Sequence, residues 1–285
     1  MDLSIIIVSW RVKELLKDCL KSIFEETQNI NFEVFVVDNN SGDGTIEMLM
    51  EYFPQVTIIS SSRNLGFSGG CNMGLKQASG RYLLLLNPDT KIIDNALDKI
   101  VAHMDKHKEF GLAGCKLLNY DGSIQESVRT LPTFKIHLAM IFRFQHFILN
   151  DYLGKNVDYS KEQEVEQVMG SFYMIRREVF EELGLMDDKF YLWFDEVDYS
   201  ARAKEKGFKT IYTPIAKVIH YGNASFKQAS SVKKQWFFSK SRLRYLWKHS
   251  NKFSWVIILL LTPLSLLITL IYSLVIKMLK ILKIK

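Results

Sequence analysis

The run Ser4-Ile5-Ile6-Ile7-Val8, near the start of the chain, has the pattern of a β-strand that is buried on both faces. Strands with one wet face alternate apolar and polar residues, whereas doubly covered strands are continuous runs of Ile, Val and Leu. Similar runs recur at residues 32–37, 56–60, 82–86 and 112–117, and amphipathic helical patterns lie between them at residues 12–24 and 45–52. This alternation predicts an α/β fold, a mostly parallel sheet covered by helices.

Charge is divided unevenly along the chain, which has 285 residues and a formal net charge of +6. Residues 1–205 carry 22 basic and 31 acidic side chains, and 15 basic and no acidic residues follow them. A uniformly basic fold would favour nucleic acid as a partner. An acidic body with a basic, apolar tail instead favours an anionic membrane surface.

The tail contains 24 uncharged residues, 253–276, which as a helix would be about 36 Å long and could cross a bilayer. Pro263 lies near the middle. Both flanks are basic, so the positive-inside rule favours a helical hairpin with both ends in the cytoplasm, and a single span stays open. Asp2 and the polar stretch 9–13 do not fit a signal peptide. We predict a globular domain at 1–228 and a membrane-association segment at 229–285, on the cytoplasmic face of the membrane.

Polar residues follow each predicted strand, where ligands bind in parallel sheets. Ser9 follows the first strand and Asp38 the second. The Asp38 carboxylate could accept hydrogen bonds from a ribose or a base, or it could cap the next turn. Asn64 and Gly66 follow the third strand in a segment without the G-x-G-x-x-G or P-loop spacing. Its glycines could still let backbone amides approach a diphosphate.

Asn87 and Asp89 follow the fourth strand, and Pro88 between them stiffens the turn. A carboxylate at a strand end suits Mg²⁺ or Mn²⁺, which take one or two carboxylates and complete their coordination with phosphate oxygens and water. Asp94 and Asp98 are expected at the start and on the solvent face of the next helix.

The densest acidic cluster is Phe194-Asp195-Glu196-Val197-Asp198, in the first turn of a predicted helix. The helix dipole favours acids there, which is a sufficient structural explanation. One of them could alternatively be a general base for an incoming hydroxyl. His220 ends the β-like run 216–219, and it could be either a structural histidine or a metal ligand.

Together these segments resemble one family, the inverting GT-A-type glycosyltransferases of family two, in the rhamnosyltransferase-like branch that builds bacterial surface polysaccharides. The resemblance covers about residues 3–225. The segments that carry it are Ser4-Ile-Ile-Ile-Val-Ser-Trp10, Val37-Asp-Asn-Asn-Ser-Gly-Asp-Gly-Thr45, Asn64-Leu-Gly-Phe-Ser-Gly-Gly-Cys-Asn72, Leu86-Asn-Pro-Asp-Thr90, Gly170-Ser-Phe-Tyr-Met-Ile-Arg-Arg177, Phe194-Asp-Glu-Val-Asp198 and the His220 segment.

The resemblance implies roles for individual residues. Asp38 matches the nucleotide-contacting aspartate, and Asp89 matches the metal-binding last position of the Asp-x-Asp-type motif, with Asn87 in place of its first acid. His220 matches a further ligand of Mg²⁺ or Mn²⁺. The predicted nucleotide-sugar-binding residues are Ser9, Asp38, Asn64, Gly66, Asn87 and Asp89.

The pair Asp195 and Glu196 matches the family's paired acids, of which the second is usually the base. The family more often has Glu-Asp or Asp-Asp, so both residues stay candidates. Arg129 with Pro132 resembles a segment of rhamnosyltransferase-like members and favours dTDP-L-rhamnose as donor, with UDP-hexoses as an alternative. The expected acceptor is a glycan on a polyprenyl diphosphate. The rival classes are a nucleotide-sugar hydrolase or nucleotidyltransferase and a non-catalytic membrane scaffold.

Overall fold

The computed structural model describes residues 1–144, 150–222 and 231–281. The strands are β1 Leu3–Ser9, β2 Phe32–Asp38, β3 Thr57–Ser60, β4 Tyr82–Leu86, β5 Thr90–Ile93, β6 Phe110–Leu118, β7 Ile124–Gln125, β8 Val128–Arg129, β9 Gln163–Val165, β10 Gln167–Val168, β11 Phe172–Arg176 and β12 Lys209–His220. The helices are α1 Lys13–Glu26, α2 Thr45–Tyr52, α3 Gly66–Leu75, α4 Ala96–Lys106, α5 Phe134–Ile141, α6 Arg177–Leu183, α7 Asp195–Glu205, α8 Ser231–His249 and α9 Lys252–Ile281.

One large sheet has the strand order β3-β2-β1-β4-β11-β6-β12-β5, with β7 paired to β6 and β9 paired to β12. Strands β3, β2, β1 and β4 are parallel to one another, and β6 is parallel to β12. Strand β11 lies between these two groups and runs antiparallel to both β4 and β6. The two groups of parallel strands therefore run in the same direction. The prediction of a mostly parallel sheet is therefore confirmed.

Helices cover both faces of this sheet, as the continuous apolar run of β1 indicates. Leu3, Ile5 and Ile7 pack into a core with α1, α2 and α4. Ile6 points to the other face, into a second core with α3, α6 and α7. All four side chains are at most 1% exposed. Because successive side chains of a strand alternate between faces, only a doubly covered strand buries them all.

Helix α4 begins later than expected, and the face of the helix that carries Asp98 is buried and not exposed to solvent. It starts at Ala96, and the preceding Asn95 is left-handed with φ 50°. Asp98 is buried, and its two carboxylate oxygens accept the backbone N–H groups of Gln28 and Asn29 at 3.1 and 2.9 Å. The prediction of Asp98 on the solvent face was wrong, because a carboxylate that receives two amide hydrogens is stable when buried.

The C-terminal part consists of two helices. Helix α9 runs without interruption from Lys252 to Ile281 through Pro263, so of the two alternatives, a helix or a hairpin, the structure has the helix. A proline inside a helix removes one hydrogen bond. The hydroxyl of Thr262, the preceding residue, donates to the carbonyl of Ile258 at 2.8 Å and adds a contact in this turn. The predicted boundary between 228 and 229 lies outside the described residues and stays a prediction.

Candidate active site

A cleft of about 440 Å³ opens at the carboxyl ends of β1, β2 and β4, where sequence reasoning expects the ligand. Seven of the nine predicted site residues line it, together with residues from α8 and from the turn before α7. The seven are Asn64, Gly66, Asn87, Asp89, Asp195, Glu196 and His220. These seven residues, which are up to 156 positions apart in the chain, therefore meet in one cavity.

Strand pairing brings His220 beside Asp89. Strand β12 runs antiparallel to β5, with His220 opposite Thr90, and the N–H of Tyr221 donates to the carbonyl of Asp89 at 2.9 Å. His220 Nε2 consequently lies 3.4 Å from Asp89 Oδ1, and both side chains are less than a tenth exposed. Asn87 Nδ2 is also 3.4 Å from His220 Nε2. These three side chains form one end of the cleft.

Gln125, in the two-residue strand β7, determines how the His220 ring faces the cleft. The amide nitrogen of Gln125 donates to Asn119 Oδ1 at 3.0 Å and to the His220 carbonyl at 3.4 Å. With its donors used, its oxygen Oε1 faces His220 Nδ1 at 2.7 Å and must accept the Nδ1–H. In the neutral ring, Nε2 then carries the lone pair and points toward Asp89.

This donor set fits a divalent cation. A histidine lone pair and a carboxylate oxygen at 3.4 Å repel one another unless a proton or a cation lies between them. Carboxylate oxygens suit Mg²⁺ and Mn²⁺, and imidazole nitrogen is a ligand of first-row transition metals, the series to which Mn²⁺ but not Mg²⁺ belongs. Two protein ligands leave the other coordination positions for phosphate oxygens and water.

The acid pair lies at the start of α7, after a strained turn. Trp193 and Phe194 both have left-handed backbones, with φ 63° and 66°. Such conformations cost on the order of 1–3 kcal/mol for bulky residues and are concentrated at functional sites. They direct Asp195 into the protein and leave Glu196 half-buried in the cleft wall, beside the backbone of Gly170.

The two carboxyl groups differ in burial. Burial, followed by the charge of Glu196 and a hydrogen bond to it, raises the pKa of Asp195 well above its usual range. Asp195 is 5% exposed, so its neutral form is favoured, and Glu196 is the more accessible carboxylate of the pair.

Ser9 and Asp38 lie behind the cleft wall, whereas their neighbours Val8, Trp10 and Asn39 line it. Asp38 Oδ2 accepts the N–H of Ser41 at 3.3 Å, which is the turn-capping role. Its other oxygen, Oδ1, is buried without a hydrogen-bond partner among the described residues, and so is Ser9 Oγ. Buried polar atoms are almost always satisfied, so a free acceptor and a free hydroxyl next to the cleft are features of a ligand site.

Asn64 and Gly66 shape the cleft through their own hydrogen bonds. Asn64 Oδ1 accepts the Gly66 N–H at 2.9 Å, so this amide is not available to a diphosphate as the glycine-rich segment suggested. Gly66 has φ +75°, and a Cβ there would lie 2.3 Å from the carbonyl oxygen of Tyr191. Glycine is therefore required by the close approach of two backbones.

Residues 4–184 match the family described as Glycosyl transferase family 2. The chain belongs to glycosyl transferase family 2.

Two curated relatives of this family-2 protein come from bacteria. The O-antigen biosynthesis protein RfbC of Myxococcus xanthus is 29% identical over 217 residues, which are 74% of this chain and 16% of the relative. The N-acetylglucosaminyl-diphospho-decaprenol L-rhamnosyltransferase of Mycobacterium tuberculosis is 24% identical over 208 residues, 66% of each chain. These relatives confirm the resemblance to the rhamnosyltransferase-like branch. The chain spans less than two thirds of the length of either relative.

Solved structures show the same GT-A fold. The mannosyltransferase PcManGT of Pyrobaculum calidifontis, in complex with GDP-Man and Mn²⁺, has a TM-score of 0.59 at 15% identity. The match covers 96% of this chain and 74% of the mannosyltransferase chain. GalNAc-T7 with UDP, GalNAc and Mn²⁺ has a TM-score of 0.59 at 19% identity, and the match covers 77% of this chain and 44% of the GalNAc-T7 chain.

Sequence reasoning missed several cleft residues of this family-2 domain. Gln125 gives no local signal, because its strand is only two residues long. Lys233 and Lys234 of α8 line the cleft, although they were counted with the basic tail. Tyr191 and Phe237, also in the wall, stack with ring centroids 4.8 Å apart. In contrast, Arg129 does not line the cleft and donates to the carbonyls of Val128 and Leu153.

Proposed function

We propose that this family-2 glycosyltransferase is an inverting enzyme that transfers a sugar from a nucleotide-sugar donor to a glycan or polyprenyl-diphosphate-linked acceptor in the synthesis of cell-surface polysaccharides. The observation that carries the proposal is the presence of Asp89, His220 and Glu196 in one cleft. A hydrolase could use the same base to activate water, but it would not require an aromatic wall that can receive an acceptor.

The reaction is a single in-line displacement. Glu196 takes the proton of an acceptor hydroxyl, whose oxygen forms a bond to the anomeric carbon from the face opposite the nucleoside diphosphate. The bond between this carbon and the diphosphate oxygen breaks, and its electron pair leaves with the diphosphate, so the configuration inverts. Burial raises the pKa of Asp195 and so favours its neutral form, which limits charge repulsion between Asp195 and the base.

Charge on the departing diphosphate needs neutralisation. Asp89 and His220 would hold Mg²⁺ or Mn²⁺, which stabilises this negative charge as a Lewis acid. Only one carboxylate is present at Asn87-Pro88-Asp89, so we assign a second cationic contribution to Lys233 and Lys234, which also line the cleft. The free Asp38 Oδ1 and Ser9 Oγ are the groups that we assign to the nucleoside.

The first candidate for the donor is dTDP-L-rhamnose. The support is the similarity to the rhamnosyltransferase of Mycobacterium tuberculosis, whose name specifies a polyprenyl diphosphate-linked sugar as acceptor. Arg129, on which the sequence prediction relied, binds backbone carbonyls, so it does not add to this support. UDP-hexoses are the alternative donors.

Helix α9 is the candidate membrane anchor. Its apolar segment Lys252–Val275 has 24 residues; the most apolar stretch of this segment has a mean hydropathy of 2.4, and only 28% of that stretch is buried. A core helix of this length would be mostly buried, whereas Phe253 and Leu260 are 75% and 73% exposed. We propose that α9 holds the protein at the cytoplasmic face of the bacterial plasma membrane.

The test is transfer with a panel of nucleotide sugars and Mn²⁺, with the anomeric configuration of the product determined by NMR. A product with inverted configuration supports the proposal. Retained configuration contradicts the displacement mechanism. Donor cleavage at the same rate without acceptor favours the hydrolase. Failure of every donor to raise the melting temperature favours the scaffold, since a ligand at a hundredfold excess over Kd stabilises by about 2.7 kcal/mol.

A further inference from the structure

Two histidines and a glutamate meet at the edge of the sheet opposite the cleft. His103 lies in the last turn of α4, His107 caps this helix, and Glu162 directly precedes β9. Arg176, at the end of the antiparallel strand β11, donates to the carbonyl of His107 at 3.1 Å. The amino end of β4 is at this edge, so the cluster is separate from the cleft at the carboxyl ends.

The ligand atoms of these three side chains converge. One nitrogen or oxygen of each lies within 4.8 Å of the corresponding atoms of the other two. The histidines are four residues apart, which places them on the same side of the helix end, and their ring centroids are 4.4 Å apart. Two ligand atoms bound to one Zn²⁺ at about 2.0–2.1 Å are roughly 3.3 Å apart, so small side-chain rotations bring the set to this spacing.

His103 supplies a second observation that points to a ligand. Its side chain is 9% exposed, and Nε2 lies 2.8 Å from Glu162 Oε2. The same nitrogen has no partner in hydrogen-bond geometry among the described residues. The carboxylate is thus close to the nitrogen but off the line on which a ring N–H would point. Neighbouring ligands of one metal ion have this arrangement, because each directs a lone pair at the ion and not at the other ligand.

We propose that His103, His107 and Glu162 bind a divalent transition-metal ion, for which Zn²⁺ fits best. Two imidazoles and one carboxylate are ligands that Zn²⁺ takes, with water in the fourth position. The bound ion joins the end of α4 to the residue before β9. The preceding segment packs on β8, where Tyr159 Oη accepts the Val128 N–H at 3.2 Å. The site therefore links two elements of the fold and is independent of the proposed sugar transfer.

The experiment measures Zn²⁺ binding to the full chain in detergent by calorimetry, with Co²⁺ as a spectroscopic probe of tetrahedral coordination. All measurements are made in the Asp89→Asn background, so that binding at the cleft does not contribute. The variants are His103→Gln and Glu162→Gln. Glu164→Gln is the matched control, because Glu164 is an exposed carboxylate two residues from Glu162 and pairs with Lys209.

We expect one equivalent of Zn²⁺ and a higher melting temperature with the ion. The binding should be lost in His103→Gln, weakened at least tenfold in Glu162→Gln and unchanged in Glu164→Gln. Melting curves without metal show whether each variant is folded. The proposal is overturned if the parent chain binds no Zn²⁺, or if a folded His103→Gln protein binds it as tightly as the parent. The outcome does not depend on activity, so failure of the proposed function leaves the test intact.

Discussion

Substitution of each acid at the start of α7 separates the base from its neighbour. Glu196 is the half-buried carboxylate in the cleft wall. A glutamine in its place has nearly the same shape, but its amide group cannot act as a base. General-base assistance contributes typically about 10²- to 10⁴-fold in rate. We therefore expect Glu196→Gln to lower kcat by about this factor, or roughly 3–5 kcal/mol in activation free energy, with donor affinity unchanged.

Asp195→Asn should have a much smaller effect, less than about tenfold. Burial and the adjacent Glu196 carboxylate raise the pKa of Asp195, so the neutral amide resembles the form of Asp195 that burial favours. The same shift makes a stability prediction. A carboxyl group with a raised pKa in the folded protein stabilises at low pH, and this contribution is lost as pH rises from the unfolded value toward the folded one. Asp195→Asn should therefore melt higher than the parent at alkaline pH.

The assays are radiolabelled sugar transfer with saturating Mn²⁺ and thermal melts between pH 5 and 9. Glu181→Gln, an exposed glutamate on α6, is the control for surface charge removal. Equal losses in Asp195→Asn and Glu196→Gln would refute the division of roles, because a pre-protonated acid has no proton-accepting role to lose. Retention of activity within a few-fold by Glu196→Gln would refute the base assignment itself.

Three further predictions follow from polar side chains with unusual surroundings. Gln125→Leu should weaken Mn²⁺ binding about 10- to 100-fold, because it removes the acceptor that orients His220, and calorimetry showing an unchanged Kd would contradict this. Burial lowers the pKa of His137 to about 3, so below pH ~6.5 the unfolded chain binds a proton that the folded protein does not. The free energy of unfolding should therefore fall by about 1.4 kcal/mol for each pH unit below ~6.5. Denaturant titrations of His137→Phe should lack this pH dependence. Arg242 is fully buried, and its three guanidinium nitrogens have no hydrogen-bond partner among the described residues. Arg242→Met should therefore leave the free energy of unfolding unchanged or raise it by about 1–4 kcal/mol. A fall of more than about 2 kcal/mol would contradict this expectation.

The parts of the fold that sequence predicts are those with a strong local pattern. Residues 82–86 form β4 with the predicted bounds, and α2 has them as well, because apolar runs and helical spacing depend on near neighbours. Strands β5 and β11 were not predicted. Each has an antiparallel partner far along the chain, such as His220 opposite Thr90, and such pairings leave no periodic signal in the strand itself.

The candidate site likewise contains residues that the sequence predicts and features that depend on tertiary structure. Asp89 and His220 follow apolar runs and could be selected as strand-end residues, although their 3.4 Å separation depends on the β5–β12 pairing. The left-handed backbones at Trp193 and Phe194 could not be predicted, because neither residue type favours positive φ. Gln125 contributes only through the partners that tertiary structure gives it.

The basic tail has more than the one role that its composition suggested. Arg244 and Lys248 lie within 2.6 and 3.1 Å of Asp187, and Lys248 lies 2.5 Å from the fully buried Asp198 of α7. The Lys248–Asp198 pair attaches α8 to the helix that carries the acid pair, and the pairs with Asp187 attach α8 to the segment before that helix. Arg244 and Lys248, two of the charges on this flank of the apolar segment, therefore bind acids of the body, and the cleft and the apolar helix are joined through one docked element. If α9 lies in a membrane, this connection holds the cleft near the bilayer surface, where the sugar of a lipid-linked acceptor would be presented.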